Sequence, residues 1–455
     1  MKVLLVQPPV FGLTVKSRII EPLALEILAA TIKEKHTVKI LDLRVEDRFE
    51  EELIEFNPDV VGITCYICQV NYVKKYLHII KKVNSKIVTI VGGEQPTHAP
   101  EEFNFPELDY ISMGDGERSF PELIDYIENK NRNIFEIPGI VSVKKGKLTF
   151  GSPKEILHDL SISPIPAREL TEKYRTFYKF AGWHDLAALS TSRGCMYRCN
   201  FCTIWKIRDG IVAHFPIERV IQELQMIKEK NIYFCEAHSF QDATYSEKLY
   251  EKIVEYGIKK NYMAYVRVNT AIKHIDLLKK WRKIGLKRVF IGIETITDKR
   301  LKNFHKATNS DQNEKAVRLL HDAGIEIMSS FIIDLDFDEE DFEILGEWVK
   351  RMNLTMPIFN IITPLPGNDM YDQNKEKLQK ISYEYFDFNH ALLETKLPIN
   401  KFYSLLAKLY RDTYSNNLSD YVKEKLGYDD EKMKKRKMTG ELLARNIEMN
   451  IREGK

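Results

Sequence analysis

The chain has 455 residues, of which 44% are hydrophobic and 29% are charged, a length and composition that predict two folded domains and an accessory segment. Its 68 basic residues nearly balance its 66 acidic ones, for a net charge of +2, which argues against broad nucleic-acid binding. The longest apolar runs have the length of strands, so no membrane-spanning helix is expected.

Strand-like and helix-like segments alternate over the first part of the chain. In order they read VLLV, PLALEILAATIKEKH, VKILDL, FEEELIEFNP, DVVGITCY, VKKYLHIIKKVN and KIVTIVGG. The first run ends at Gln7 and two prolines, which is too early for a signal peptide, so a strand is predicted there. The alternation is typical of an α/β fold with a doubly wound parallel sheet, predicted as a first domain over residues 1–140.

The predicted strand ends of this domain carry small and polar residues. Ligands of such sheets bind at the carboxyl ends of the strands. These ends read QPPVFG, TCYICQ, VGGEQPTH and MGDGE. Their glycines would allow a bulky ligand to approach the backbone, although ordinary strand-to-helix turns explain each of them as well.

A second alternation follows a linker. Residues 141–185 contain short strands and the proline-rich SISPIPARE, which predicts the linker. Six strands with intervening helices then predict a partial (β/α)6 barrel over residues 186–370, with its active site at the carboxyl ends of the strands. Residues 371–455 are predicted to be a helical segment. Its basic run KMKKRK, at 432–437, is either a solvated face or a contact for anionic lipid headgroups.

The stretch SRGCMYRCNFCTIW follows the first barrel strand and places Cys195, Cys199 and Cys202 in a C-x3-C-x2-C pattern. Six cysteines without an export signal indicate a reducing cytoplasm, where thiols serve metals or catalysis. A structural zinc site would need a fourth ligand at close spacing, and the nearest further cysteine is Cys235. Three thiolates on a four-iron cluster leave one iron open to a reactive ligand. The pattern therefore favours an iron–sulfur cluster over zinc.

This motif, at this place in a six-stranded partial barrel and with the aromatic Phe201 before its last cysteine, resembles the radical SAM superfamily. The resemblance implies that Cys195, Cys199 and Cys202 are the catalytic metal ligands of a [4Fe-4S] cluster. It implies that the open iron chelates S-adenosylmethionine (SAM), which the reduced cluster cleaves to a 5′-deoxyadenosyl radical. A reducing partner such as flavodoxin or ferredoxin is expected.

The resemblance also places SAM contacts at the later strand ends. They are Glu236 and Asp242 closing the second strand, Arg267 and Asn269 on the third, and Glu294 in the G-x-E-T pattern that closes the fourth. A structural pair between Arg267 and Glu294 is an equal alternative. The fifth strand, IIDLDFDEE, lacks the glycine-rich turn common in the superfamily, whereas PLPG after the sixth strand matches a recurrent turn.

The N-terminal loops VGGEQPTHAPEE and MGDGERSFPELI resemble those of the cobalamin-binding domain that precedes many radical SAM barrels. The resemblance implies cobalamin contacts at Gly92, Gly93, Gly114, Gly116, Glu117 and Cys65. The D-x-H-x-x-G motif of classical cobalamin proteins is absent, so no histidine is expected on cobalt. Cys65 and Cys68 are interpreted as thiols beside the corrin, with a redox or metal pair as the alternative.

The resemblance extends almost end to end to the hopanoid C-3 methylase group and its archaeal relatives that form cyclopentane rings in tetraether lipids or attach calditol. The segments that carry it include EPLALEILAA, ILDLRVED, PGIVSV, LKKWRKIGLKRVFIGIE and FDFNHALLETKLPINKFY. The last segment lies outside both general motifs. Its His390, Glu394 and Lys396 are candidate lid residues over the substrate, with packing on the barrel as the alternative.

The predicted function is therefore that of a cobalamin-dependent radical SAM enzyme that modifies an unactivated carbon of an isoprenoid lipid, most simply by methylation. Ring formation or headgroup coupling on tetraether lipids is the alternative. An RNA-modifying enzyme such as a methylthiotransferase would carry further N-terminal cluster cysteines and a basic appendage, which this sequence lacks. A non-catalytic sensor would leave the intact cysteine motif unexplained. A cytoplasmic protein with peripheral membrane contact and no nucleic-acid partner is expected.

Overall fold

The structure is a computed structural model that describes residues 1–10 and 18–452. Its first domain contains a seven-stranded sheet in the order β2-β1-β3-β4-β5-β6-β7, in which β1 to β5 are parallel. The elements are β1 Lys2–Gln7, α1 Leu23–Ile32, β2 Thr37–Asp42, α2 Phe49–Phe56, β3 Val60–Thr64, α3 Val70–Val83, β4 Val88–Gly92, α4 Glu94–His98, β5 Tyr110–Ser112, α5 Gly116–Asn129, β6 Ile140–Lys144 and β7 Lys147–Phe150. Residues 11 and 12 of the predicted QPPVFG loop lie outside the described residues.

Helices cover both faces of this sheet, so the doubly wound fold is confirmed. One face packs Leu53 of α2 and Leu77 of α3 against the strands. The other packs Ala29 of α1 and Leu123 of α5. Apolar residues point to both faces of the central strands, as expected for a parallel sheet buried on two sides.

The first sheet extends past the predicted boundary at residue 140. The strands β6 and β7 continue it as an antiparallel hairpin that ends at Phe150. The two residues of the turn, Lys145 and Gly146, have φ values of 51° and 77°, as a type I′ turn requires. Because these strands are short and half polar, their pattern differs from that of the buried parallel strands, and the sequence-based boundary fell too early.

The second domain contains six parallel strands in the order β15-β14-β13-β12-β11-β8, which confirms the partial barrel. The elements are β8 Leu186–Leu189, β9 Ser192–Arg193, α6 Ile204–Ile207, β10 Ala213–His214, α7 Ile217–Met226, β11 Asn231–Phe234, α8 Ala243–Glu255, β12 Asn261–Arg267, α9 Val268–Lys273, α10 Ile275–Lys283, β13 Leu286–Glu294, α11 Asp298–Asn303, α12 Ser310–Asp322, β14 Glu326–Ile333, α13 Glu339–Arg351 and β15 Met356–Ile361. Its outer face packs on the helices.

The inner face of the barrel carries aromatic and methionine side chains. Its strands contribute Tyr233, Met263 and Met328, with Tyr265 and Phe290 partly buried beside them. Residues of the first domain and of the linker pack on the same face, namely Leu23, Ile27, Phe180 and Trp183. The lumen of the barrel is therefore apolar, and the first domain closes part of it.

Side chains cover both open edges of the second sheet. At β15, the Tyr410 hydroxyl accepts from the Phe359 N–H at 3.0 Å and donates to the Phe359 carbonyl at 3.1 Å. At β8, the Ala188 N–H donates to Glu21 at 2.8 Å, and Arg168 donates to the Ala188 carbonyl at 2.6 Å. Unpaired strand edges invite association with other chains, so these contacts replace the strands that would close a full barrel.

The C-terminal segment is helical, as predicted, with α14 Asp369–Leu378, α15 Ile399–Ser415, α16 Asp420–Leu426 and α17 Asp430–Arg452. Arg436 of α17 is buried and donates to the carbonyls of Leu354 and Thr355, immediately before β15. This arginine of the KMKKRK run is therefore structural rather than part of a basic surface. In residues 1–10 and 18–452 no helix is both long and apolar enough to span a bilayer.

We predict that Tyr410→Phe lowers the free energy of unfolding by about 2 kcal/mol, since it leaves the buried N–H and C=O of Phe359 without their partner. Urea denaturation followed by circular dichroism measures the change. Tyr421→Phe is the control, because Tyr421 is 48% exposed and makes its hydrogen bond at the surface. Equal stability of the two variants would contradict the edge-covering role.

Candidate active site between the two sheets

The three cysteines of the motif lie on the loop after β8, at the carboxyl end of the second sheet. Cys199 is buried, Cys195 and Cys202 are half-buried, and all three are free thiols. Gly194, directly before the motif, has a φ of 91°, and a Cβ there would lie 2.0 Å from the Ile211 carbonyl oxygen. Only glycine therefore fits at the start of this loop.

Burial favours the neutral form of the thiols, so each of them would lose a proton when it binds metal. It raises the pKa of Cys202 to about 12 and also raises the pKa of Cys195. Coordination by iron removes the proton from such a thiol. Across the described parts of the chain, no three His, Cys, Asp or Glu side chains converge as ligands of a single metal ion. The choice of an iron–sulfur cluster over zinc at these cysteines rests on the sequence motif.

Arg267, at the end of β12, contacts the cysteine motif directly. Its Nη1 donates to Cys199 Sγ at 3.3 Å, and its guanidinium lies 3.8 Å from the centre of the Tyr197 ring. The alternative pair between Arg267 and Glu294 does not form, since Glu294 pairs with Lys306 instead. A fixed cation beside Cys199 stabilises the negative charge of thiolate ligands.

A buried ion pair holds Glu294 at the end of β13. Lys306 Nζ lies 2.5 Å from Glu294 Oε1, and both side chains are buried. Glu294 has a φ of 64°, and a Cβ at Gly292 would lie 2.1 Å from Glu294 Oε1. The G-x-E spacing thus has a physical reason, because the carboxylate folds back into space that only glycine leaves open. A SAM contact from Glu294 stays a prediction.

Two predicted SAM contacts lie elsewhere than expected. Because β11 ends at Phe234, Asp242 does not close the strand but caps the first turn of α8, accepting from the Tyr245 N–H at 3.0 Å. Asn269 lies beyond β12, in α9, and donates to the Tyr197 hydroxyl at 2.7 Å. The apolar pattern that predicts the strands continues into the loops that follow them. The sequence therefore does not show at which residue each strand ends.

The loop after β11 offers buried polar atoms that lack a partner. Glu236 lies there, as predicted, and its Oε2 accepts from the N–H groups of Thr191 and Ser192 at 2.8 and 2.9 Å. The atoms without a partner among the described residues include Glu236 Oε1, His238 Nδ1, Ser239 Oγ and Gln241 Oε1. Buried polar groups in proteins are almost always hydrogen-bonded. These atoms therefore fit a polar ligand with amino, carboxylate and hydroxyl groups, as SAM has.

The glycines predicted to contact cobalamin are explained by packing within the chain. They are Gly92, Gly93, Gly114 and Gly116. A Cβ at Gly93, whose φ is 106°, would lie 2.9 Å from Thr64 Oγ1, and one at Gly116 would lie 2.7 Å from Leu28 Cδ2. The strand-to-helix turns account for these glycines, and their contact with cobalamin stays a prediction.

Among the described residues, no third His, Cys, Asp or Glu joins the C-x2-C pair after β3 to form a metal site. Cys65 is completely buried, and its Sγ donates to the Tyr66 carbonyl at 3.3 Å. Cys68 is half-buried, and burial raises its pKa to about 12. Both are free, neutral thiols near pH 7, and their place beside a corrin stays a prediction.

An ion-pair network that the sequence does not reveal joins the MGDGE loop to the cysteine loop. Arg193, just before the cysteine motif, lies 2.5 Å from Glu117 and 3.2 Å from Asp115. Asp115 also pairs with Arg208. Burial alone would raise the pKa of Glu117, but Arg193 outweighs it and the pKa is lowered. Glu117 therefore links the two domains through Arg193, and its contact with cobalamin stays a prediction.

The carboxyl ends of both sheets border one cleft. Tyr66 follows β3 and Cys235 follows β11, and both are exposed, Tyr66 by 51%. Desolvation nevertheless raises the pKa of Cys235 to about 11 and raises that of Tyr66. A side chain that solvent can reach, but that many protein atoms surround, lies in a cleft rather than on an outer surface. Such a cleft, with an exposed aromatic ring at the β3 end, fits a large planar cofactor such as cobalamin.

The segment FDFNHALLETKLPINKFY, at 386–403, contacts the barrel, which is the alternative to a lid role. His390 Nδ1 lies 2.9 Å from Asp387 Oδ1, and Lys396 Nζ lies 2.7 Å from Asp338 Oδ2 at the start of α13. Glu394 is exposed. A lid role for His390, Glu394 and Lys396 stays a prediction.

Comparison with known proteins gives two family matches and relatives that align over most of the chain. Residues 11–124 match the B12 binding domain, and residues 189–349 match the radical SAM superfamily. The chain is 30% identical over 430 residues to the hopanoid C-3 methylase of Methylococcus capsulatus, which covers 92% of this chain and 81% of that protein. The predicted resemblance is therefore confirmed.

Two solved structures share the fold. The cobalamin-dependent S-adenosylmethionine radical enzyme OxsB aligns with a TM-score of 0.67 and 22% identity, over 99% of this chain and 67% of that chain. The radical S-adenosylmethionine methyltransferase TsrM from Kitasatospora setae aligns with a TM-score of 0.64 and 18% identity, over 84% of this chain and 75% of that chain. Both likenesses support the order of a B12-type sheet, a radical SAM barrel and a helical C-terminus.

We predict that Cys199→Ala abolishes the iron–sulfur absorption and most of the bound iron after anaerobic reconstitution, because two thiolates hold a four-iron cluster poorly. Cys235→Ala is the matched control and should keep both, since Cys235 lies on another strand end. Iron analysis and the visible spectrum measure the outcome. A cluster that persists in Cys199→Ala and is lost in Cys235→Ala would contradict the ligand assignment.

Proposed function

Because the chain belongs to the family of B12-binding radical SAM enzymes that includes hopanoid C-3 methylase, we propose that it methylates an unactivated carbon of an isoprenoid lipid. It is a radical SAM enzyme whose cofactors are a [4Fe-4S] cluster, SAM and cobalamin. The similarity to the hopanoid enzyme covers 92% of the chain and so extends beyond the two cofactor-binding domains. This extent supports a related substrate class.

The apolar lumen of the barrel is the observation that carries the lipid assignment. Its lining includes Tyr233, Tyr265 and Phe290, whose rings pack in sequence with centroids 5.8 and 4.8 Å apart. Met328 and Met356 lie on the same face. Aromatic and methionine side chains bind flexible or fused hydrocarbons without demanding specific hydrogen bonds.

The chain's own residues hold the cofactors and exclude water. When bound, the cluster and SAM supply the radical that removes a hydrogen atom, and cobalamin supplies the methyl group. Cys195, Cys199 and Cys202 would hold the cluster, with Arg267 offsetting the charge at Cys199. The unpartnered Glu236 Oε1 would accept hydrogen bonds from SAM. The aromatic wall keeps water from the reacting carbon, which protects a reactive species from side reactions.

Peripheral contact with a membrane would bring such a lipid to the enzyme. Met438 and Leu442 of α17 are 63% and 59% exposed and lie four residues apart on the same helix face. Lys434 and Lys435 are exposed one turn before them. An exposed apolar stripe flanked by lysines suits the surface of an anionic bilayer. A small electron carrier such as flavodoxin or ferredoxin would reduce the cluster.

Expression in a host that makes hopanoids or tetraether lipids, or deletion in the native host, tests the proposal by lipid mass spectrometry. We expect one methylene unit to be gained on an isoprenoid lipid in the presence of the active gene. The Cys199→Ala variant, expressed at the same level, should leave the lipids unchanged. Loss of two hydrogens or a polar addition would overturn methylation in favour of ring formation or headgroup coupling. An unaltered lipid profile with the active gene would overturn the lipid assignment.

A further inference from the structure

Arg18 places a cation at the cleft and is held there by backbone pairing. The neighbouring Ile19 forms an antiparallel bridge with Lys179, with N–H to carbonyl distances of 3.0 and 2.8 Å. This bridge sets the Arg18 guanidinium 5.0 Å from the centre of the Phe180 ring. Phe180 in turn contacts Tyr233 of the lumen, with ring centroids 5.1 Å apart. Arg18 therefore stands at the end of the aromatic wall.

The groups that interact most strongly with the Arg18 charge are hydroxyls and a thiol rather than carboxylates. They are the hydroxyls of Tyr265, Tyr233 and Tyr66 and the thiol of Cys235. Burial raises the pKa of Cys235 to about 11 and also raises the pKa values of Tyr66 and Tyr233, so these three are neutral. The Arg18 side chain is exposed, so its guanidinium faces the cleft from an accessible position.

No acidic partner of Arg18 is found in the part of the chain that the structure describes. Residues 11–17, which precede it, contain no Asp or Glu. Other arginines at the domain boundary are paired. Examples are Arg44 with Asp42, Arg168 with Glu21 and Glu223, and Arg193 with Glu117. Arg18 lacks such a carboxylate partner among the described residues.

Because Arg18 is exposed and has no carboxylate partner among the described residues, its guanidinium is available to an incoming anion. A guanidinium donates two parallel hydrogen bonds to the oxygens of a phosphate or a carboxylate, so these groups are its preferred partners. Resting on the proposed lipid function, we infer that Arg18 binds an anionic oxygen group of the substrate, a phosphate or carboxylate, while the apolar part of that substrate occupies the barrel lumen. The substrate is then an amphiphile rather than a neutral hydrocarbon.

Binding of matched isoprenoids to the enzyme reconstituted with cluster and cobalamin tests the inference without turnover. The probes are geranylgeranyl phosphate, geranylgeranic acid and geranylgeraniol, which share one chain and differ in the terminal group. Tryptophan and tyrosine fluorescence measures their dissociation constants. We expect the wild type to prefer an anionic probe to the alcohol by about 10-fold or more, as a charge-assisted hydrogen bond to the guanidinium implies. Arg18→Gln should abolish this preference, and Arg18→Lys should keep part of it.

Arg318→Gln is the matched control, because Arg318 is exposed on α12 and pairs with Glu314. It should bind all probes as the wild type does. A wild type that does not distinguish the anionic probes from the alcohol would overturn the inference. So would Arg18→Gln with its preference intact, or with a loss of cobalamin or SAM binding alone, since the anion would then belong to a cofactor. Because no methyl transfer is measured, a failure here is separate from a failure of the methylation proposal.

Discussion

The structure depends on charge pairs buried between its two domains. Arg168 bridges Glu21 of the first domain and Glu223 of the barrel helix α7, and Glu21 also accepts from the backbone of β8. Arg193 of the cysteine loop binds Glu117 of the first domain. Separating the domains would leave these charges without partners, which costs several kcal/mol for each broken pair, roughly 3 to 5 by analogy with other proteins. The two sheets are thereby held in one relative orientation.

That orientation turns two open sheets into one site. Each sheet alone would present loops at its strand ends to solvent, and ligands of parallel sheets bind at such ends. Here the pairing directs both sets of ends into a common cleft. Glu94 of α4 reaches across it and accepts from Thr203 of the cysteine loop at 3.1 Å. Tyr233, on the apolar inner face of the barrel, lies two residues before Cys235 at this cleft, which supports the proposal that a hydrocarbon substrate meets both cofactors there.

The fold was predictable because local patterns encode it, and the assignment of the cluster ligands is a prediction that rests on the same kind of pattern. The alternation of apolar runs specifies parallel sheets, and the spacing of Cys195, Cys199 and Cys202 specifies the cluster loop. Contacts that depend on distant segments were not predictable. Glu117 pairs with Arg193 across 76 positions of sequence, and Asp242 becomes a helix cap because β11 ends at Phe234. The hairpin β6–β7 was assigned to the linker, since its half-polar strands differ from buried parallel ones.

The central claim is that cobalamin and the cluster share the cleft between the two sheets. Anomalous diffraction from crystals of the loaded enzyme, recorded at the iron and cobalt absorption edges, tests it directly. We expect iron peaks at Cys195, Cys199 and Cys202 and a cobalt peak in the same cleft, on the side of β3 and Tyr66. A cobalt peak outside the cleft, or iron bound away from the three cysteines, would contradict it.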